Sequence, residues 1–176
     1  MLDRLRLDYS TISPDIDETA LPGEAPAALV ERLAEQKARA VGARHAGLII
    51  GSDQVATING DILGKPGNHE NAVAQLQRLA GQRVIFHTGL CLLDSVNHEA
   101  QIDVIPFTVQ FRTLTGKQIE RYLRAEQPYN CAGSFKSEGL GITLFEKMLG
   151  DDPTALIGLP LIRLTAMLGK AGIDLP

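Results

Sequence analysis

Asp53 closes the run Gly47-Leu48-Ile49-Ile50-Gly51-Ser52-Asp53, in which a short continuous apolar stretch gives way to polar residues. Such a stretch reads as a strand covered on both faces, and ligands in open α/β sheets gather beyond the carboxyl ends of the strands. A carboxylate at that place can bind a divalent ion or take a proton from an attacking water. It can also do no more than cap the next turn with its own side chain. Asp15, Asp17 and Glu18 form a second acidic group ahead of a lysine-bearing helix. Hard cations such as Mg2+ take carboxylate oxygens and keep water and substrate phosphates as further ligands, although a solvated surface turn has the same composition. The ligand spacing of an EF-hand is absent.

Cations accompany these acids. Lys37 falls inside the apolar stripe Leu29, Val30, Leu33, Ala34 and Val41 at 100° per residue, so it either snorkels to the edge or points into a site. Lys65 is set between turn formers in Gly64-Lys65-Pro66, close in sequence to Asp53. The stretch fails as a phosphate-binding P-loop, because Gly60 and Gly64 are too close and Pro66 replaces the hydroxyl residue. It leaves a lysine that can meet a phosphate as a point charge, or a plain surface turn. Ser134-Phe135-Lys136-Ser137-Glu138-Gly139 packs a cation, hydroxyls, an aromatic and an acid into one loop. Loops of that composition build polar sites or simply face solvent, and a glutamate there could accept hydrogen bonds from the N1 and amine of a purine. His45, His69, His87 and His98 show no metal spacing. Cys91 and Cys131 have no adjacent base, and Ser52 lacks the Gly-x-Ser-x-Gly elbow of a nucleophile.

The elements that must carry these residues alternate between strand and helix, which implies an α/β fold. Residues 1–9 read as the end of a helix running into a strand. Pro26 suits the first turn of a helix that runs to about Val41. Val55–Ile58 and Asp61–Leu63 flank Asn59-Gly60, a hairpin signal. Asn68 caps a helix with Ala72, Val73, Leu76 and Leu79 on its apolar face, stopped by Gly81. Two long strands, Val84–Leu93 and Gln101–Arg112, flank the polar turn Asp94–Glu99. Thr115 and Gln118 form a capping-box pair before a helix with Ile119, Tyr122 and Leu123. Residues 127–141 read as a loop, and Leu161, Leu164 and Leu168 mark a last helix.

Composition sets the frame. The 176 residues suit one domain with its own core. With 17 Lys and Arg against 21 Asp and Glu, the net charge of -4 argues against binding of a nucleic-acid polymer. Two cysteines make no disulfide framework and suit a reducing cytosol. No apolar run is long enough for a membrane, and the start lacks a signal-peptide core. These features lead us to expect a cytoplasmic protein.

Asp15-Ile16-Asp17-Glu18-Thr19, Leu33-Ala34-Glu35-Gln36-Lys37-Ala38, Ile50-Gly51-Ser52-Asp53-Gln54, Gly64-Lys65-Pro66, Ala132–Gly139 and Leu156-Ile157-Gly158-Leu159-Pro160 occur in that order. Together they resemble the Maf family of nucleoside triphosphate pyrophosphatases, also called septum formation inhibitor Maf, over nearly the whole chain. The resemblance implies an α/β fold of the Maf and inosine-triphosphatase kind: an elongated mixed sheet with helices, in two lobes around a central cleft. It implies one Maf-like domain over 1–176, starting beyond the first strand and the Ser-x-Ser-Pro-x-Arg loop of the family. Ser52-Asp53-Gln54 and Ser134–Gly139 look like the 7-methyl-GTP branch; the dTTP/UTP branch typically has Ala-Asp-Thr at the first place and a Gln-Gly pair near the second.

That branch implies hydrolysis between the α and β phosphates with a divalent cation, Mg2+ or Mn2+. Asp53 then matches the proton acceptor, and Glu18, Lys37 and Lys65 match polar site positions. Gln54 and Glu138 match positions that set base specificity. Ser134 and Lys136 are candidate substrate contacts, and Glu18 and Asp53 candidate metal ligands. The expected partner is a small nucleoside triphosphate, with neither a nucleic-acid polymer nor a membrane. The resemblance also allows a homodimer. The alternatives are a dTTP/UTP pyrophosphatase of the same family and a nucleotide-binding regulator of septum formation that does not catalyse.

Overall fold

The structure, a computed structural model, describes residues 1–176. Its helices are α1 (Pro26–Gly42), α2 (His69–Leu79), α3 (Gly116–Glu126) and α4 (Leu161–Lys170). Its strands are β1 (Leu48–Ile58), β2 (Asp61–Leu63), β3 (Arg83–Asp94), β4 (Glu99–Phe111) and β5 (Phe145–Leu149), in the sheet order β2-β1-β3-β4-β5. The α/β class expected from the sequence is present, but the sheet is antiparallel rather than mixed. The connections explain this: Asn59-Gly60, both at positive φ, turns β1 directly into β2, and a short turn joins β3 to β4.

The chain divides into two compact units. The first comprises Met1–Gln54, Thr88–Ile105 and Asp152–Pro176; the second comprises Val55–His87 and Pro106–Asp151.

In the first unit, α1 starts at Pro26 and buries Leu29, Val30, Leu33, Ala34, Ala38 and Val41. It lies hard against the strands because Gly51 and Gly89 carry no side chain. A Cβ on Gly51 would stand 2.2 Å from the Ala34 carbonyl oxygen, and one on Gly89 would stand 2.1 Å from that of Val30. The upper part of β3 is covered on both faces, which accounts for its unbroken apolar run. Leu90 and Leu92 pack with Leu161, Leu164, Met167 and Leu168, while Cys91 and Leu93 pack with Ala34 and Ala38. The buried Asp152 carboxylate accepts from the amide nitrogens of Thr154 and Ile162 at 3.0 and 2.8 Å, tying the 153–157 turn to the start of α4.

The N-terminus departs from expectation. Leu2–Leu5 forms a single 3-10 turn, and no strand follows. Leu2, Leu5 and Leu7 instead pack against the α4 cluster, so their spacing reports burial and not a regular element. Residues 7–21 form neither helix nor strand.

In the second unit, both expected caps are in place. The Asn68 side chain accepts from the Asn71 amide at 2.9 Å, and Thr115 and Gln118 complete a reciprocal capping box. The core includes four phenylalanines in edge-to-face contact: Phe86, Phe111, Phe135 and Phe145. β5 was not expected. It pairs antiparallel with β4 from Thr108↔Leu149 to Phe111↔Phe145, with an irregularity at Gln110/Phe111. Four of its five residues, Glu146 to Leu149, face solvent. An exposed edge strand of this kind has no alternation for a sequence reading to detect. No helix is long and apolar enough to cross a membrane.

Candidate functional site

β1 corrects the expected position of Asp53. The strand runs unbroken through Ser52, Asp53 and Gln54 to Ile58, so Asp53 lies in mid-strand and not at a carboxyl end. The polar triplet does not stop the strand because its side chains find tertiary partners. Ser52 Oγ donates to the carbonyl oxygens of Gly89 and Gly158, each at 2.8 Å. Gln54 Nε2 donates to Thr88 Oγ1 at 2.9 Å and to the Ala155 carbonyl at 2.6 Å. Successive strand residues face opposite ways. Ser52 and Gln54 therefore share the face toward the 153–158 segment, while Gly51 and Asp53 share the face toward α1.

Across that face stands Lys37. It left the helix stripe not to snorkel but to meet two carboxylates: its Nζ lies 2.7 Å from Asp53 Oδ1 and 2.7 Å from Glu18 Oε1. The side chains of Lys37 and Asp53 are only 18% and 12% exposed, whereas Glu18 is 54% exposed. Burial pushes the Lys37 ammonium toward its neutral form, but the hydrogen bonds to Asp53 and Glu18 outweigh it, and its pKa lies above the ordinary lysine value. The two carboxylates that flank it favour the charged form of the lysine.

Glu18 reaches Lys37 from a segment without helix or strand. Asp17 Oδ1 accepts from the Thr19 amide at 2.9 Å, an Asx-type turn. Asp15 and Asp17 are exposed, and only Glu18 of the acidic group reaches the lysine. Glu18 and Asp53 are the carboxylates at hand for a divalent ion. No group of three or more His, Cys, Asp or Glu gathers as an all-protein cage. Two carboxylates suit Mg2+, which fills its remaining positions with water and phosphate oxygens.

The second unit carries the other candidates. Lys65 is exposed, in the turn after β2, and the Gly67 amide donates to the Tyr129 carbonyl at 2.9 Å. This ties that turn to the segment leading into 131–139. Phe135 anchors the loop in the phenylalanine core. Ser134 is fully buried, at φ 59°, with its hydroxyl donating to Gln75 Oε1. The Lys136 amide donates to the Tyr122 hydroxyl at 3.0 Å, and its ammonium faces Glu126 at 3.7 Å. Glu126 also accepts from the Leu140 amide at 2.9 Å. Between these anchors, Glu138 is exposed, touched by Ser137 Oγ at 3.4 Å.

The named candidates thus fall into two groups. Glu18, Lys37 and Asp53 are brought together in the first unit, with Gln54 beside Asp53 on the reverse face. Lys65, Ser134, Lys136 and Glu138 belong to the second unit.

With this geometry in view, comparison with known proteins is decisive about kinship. The family described as Maf-like protein matches residues 1–171. The chain belongs to that family. A 7-methyl-GTP pyrophosphatase of Nitrosococcus oceani is 58% identical over 173 residues, covering 98% of this chain and 87% of that protein. Proteins of the same name from Pseudoalteromonas translucida and Pseudomonas fluorescens are each 56% identical, over 99% and 100% of this chain and 87% and 92% of their own length.

Within this Maf-like chain the sequence reading missed residues whose work is to hold others. Arg32 and Glu24 pin the segment that bears Glu18, Thr88 receives Gln54, and Tyr122 and Glu126 grip the 136–140 backbone. Arg32 lies on the polar side of α1, where a charged residue has no distinguishing local signal. Cys91 and His69 have other partners. Burial raises the Cys91 thiol to about 11, which keeps it a protonated core residue. His69 is held by the Tyr129 hydroxyl and Glu120 at 2.9 and 3.0 Å.

Proposed function

We propose that this chain is a nucleoside triphosphate pyrophosphatase that converts 7-methyl-GTP to 7-methyl-GMP and pyrophosphate. The observation that carries the hydrolytic reading is the convergence of Asp53 and Glu18 on the half-buried Lys37 ammonium. The substrate is supported by the names of relatives more than half identical over nearly the whole chain.

In the reaction a water oxygen attacks the α-phosphorus. The new P–O bond forms as the bond from that phosphorus to the bridging oxygen breaks, and pyrophosphate leaves. Asp53, oriented through its Oδ1 by Lys37, accepts the proton of the water. Charge builds on the phosphate oxygens during this step and must be met by preorganised cations. Lys37 is such a cation, and Lys65, with no ion pair, is a second that the chain offers to phosphate. A local positive site suffices for a small anion despite the net charge of -4. Glu18 and Asp53 would hold a divalent cation, which would draw charge from the phosphate oxygens when bound.

Glu138 and Gln54 set base specificity in this reading. The exposed Glu138 carboxylate offers acceptors to the N1–H and amine of a methylated guanine. Gln54 has its amide nitrogen committed to Thr88 and Ala155, so only its oxygen remains to accept. Ser134 acts by shaping the loop, and Lys136 adds a cation to it.

Pyrophosphate release from 7-methyl-GTP, GTP, dTTP and UTP, each with Mg2+ or Mn2+, tests the proposal. Selective turnover of 7-methyl-GTP is the expected result. Preference for dTTP or UTP would overturn the substrate, and no turnover of any of the four would overturn the enzymatic reading.

A further inference from the structure

Glu18 presents a physical puzzle. Its side chain is 54% exposed, and it stems from a stretch of chain with no helix or strand to hold it. An exposed ion pair gains little, because water screens it and two long side chains lose freedom in making it. Contact with Lys37 at 2.7 Å therefore needs a backbone that is already in place.

Arg32 supplies that backbone. Its Nε and Nη2 donate to the two oxygens of Glu24 at 2.6 and 2.7 Å, a fork-to-fork pair. Nη2 also donates to the Thr19 carbonyl at 3.2 Å, and Nη1 to Gln36 Oε1, one helical turn on, at 3.0 Å. Glu24 in turn accepts from the Leu21 amide at 2.9 Å. The Thr19 residue is thereby held at both ends, its N–H by Asp17 and its carbonyl by Arg32, immediately after Glu18. One guanidinium on α1 closes the whole 17–24 segment onto the helix that carries Lys37.

We propose that Arg32 is a positioning residue for hydrolysis, which acts through Glu24 and Thr19 to deliver Glu18 to Lys37. This rests on the pyrophosphatase reading above and extends it to a residue that touches no reacting atom. A lysine could not substitute, since one ammonium cannot bridge both Glu24 oxygens, Thr19 and Gln36 in a planar fork. The pair also persists across the working pH range. Hydrogen bonding from Arg32 and from the Leu21 amide lowers Glu24 to about 2, and the same contact raises Arg32.

The test is a cycle of Arg32→Lys and Glu18→Gln, with Glu24→Gln as the partner variant and thermal midpoints measured for each. Arg32→Lys and Glu24→Gln are expected to lower kcat for 7-methyl-GTP roughly 10- to 100-fold while KM changes less than about threefold, as misplacement of a reacting constellation does. In the Glu18→Gln background, Arg32→Lys should change kcat by less than about twofold, because its only route to the chemistry is already cut. An undiminished loss in that background, or unchanged kcat in the single variant, overturns the proposal. Amide hydrogen exchange of Thr19 and Leu21 adds a readout independent of turnover. Their protection should fall at least tenfold in Arg32→Lys, and unchanged protection also overturns it. A wild-type chain that turns over none of the nucleotides defeats the functional reading itself, and the clasp then stands or falls on the exchange arm.

Discussion

Lys37 and Asp53 are mounted on a 17-residue helix and an 11-residue strand, pressed together where Gly51 and Gly89 let backbone meet backbone. Glu138 sits in a stretch with no regular element, suspended from the buried ring of Phe135, the Tyr122 hydroxyl and the Glu126 carboxylate. Under the proposed function the contrast answers two demands on one chain. A proton acceptor and its cation must keep their separation through every turnover, and regular elements with backbone ladders hold them. Recognition of a base tolerates adjustment, and a loop tied only at its ends can provide it. Glu18 is an intermediate case: an irregular segment made rigid by a clasp.

Four experiments test this contrast. The largest effect should come from Asp53→Asn, which keeps volume and removes proton-accepting capacity. Turnover is expected to fall by about 10³-fold or more with little change in thermal midpoint, and pyrophosphate release at high enzyme concentration measures it. Phe135→Ala removes the anchor of the second region. It should destabilise the protein by roughly 3–5 kcal/mol by opening a cavity beside Phe86, Phe111 and Phe145, as read from denaturant unfolding. Loop-dependent selectivity should degrade in the same variant. Glu138→Gln is the finer probe: an exposed residue, so stability should hold within about 0.5 kcal/mol, while preference for 7-methyl-GTP over UTP drops roughly tenfold. Competition between the two nucleotides reads that ratio.

The smallest effect lies in pH dependence. Glu24 falls from an ordinary 4.5 to about 2 in the folded chain, chiefly through the hydrogen bond from Arg32. A depressed acid stabilises the fold above its unfolded value, and that contribution is lost as pH falls from about 4.5 toward 2. Unfolding midpoints measured down this range should show a slope that Glu24→Gln flattens.

The ends of α2 and α3 were legible because their caps lie within three residues of the groups they satisfy, and the Asn59-Gly60 hairpin for the same reason of proximity. Lys37 was conspicuous as a charge in an apolar stripe. For Asp53 the sequence pattern suggests the end of a strand, whereas the strand continues to Ile58. No local rule could say that Ser52 and Gln54 would find acceptors at Gly158 and Ala155, more than a hundred residues on. β5 escaped notice for lack of a buried alternating face.

Periodicity and capping, which act over a turn or a hairpin, were therefore written in the sequence itself: the helices, the hairpin, and the odd lysine among apolar neighbours. Which carboxylates that lysine meets, which way Asp53 and Gln54 face, and what holds Glu18 in place follow instead from long-range packing. Lys37 and Asp53 are 16 residues apart, and Arg32 and Thr19 are 13. At those separations a contact depends on how helix and strand pack, and packing is settled by the whole core at once.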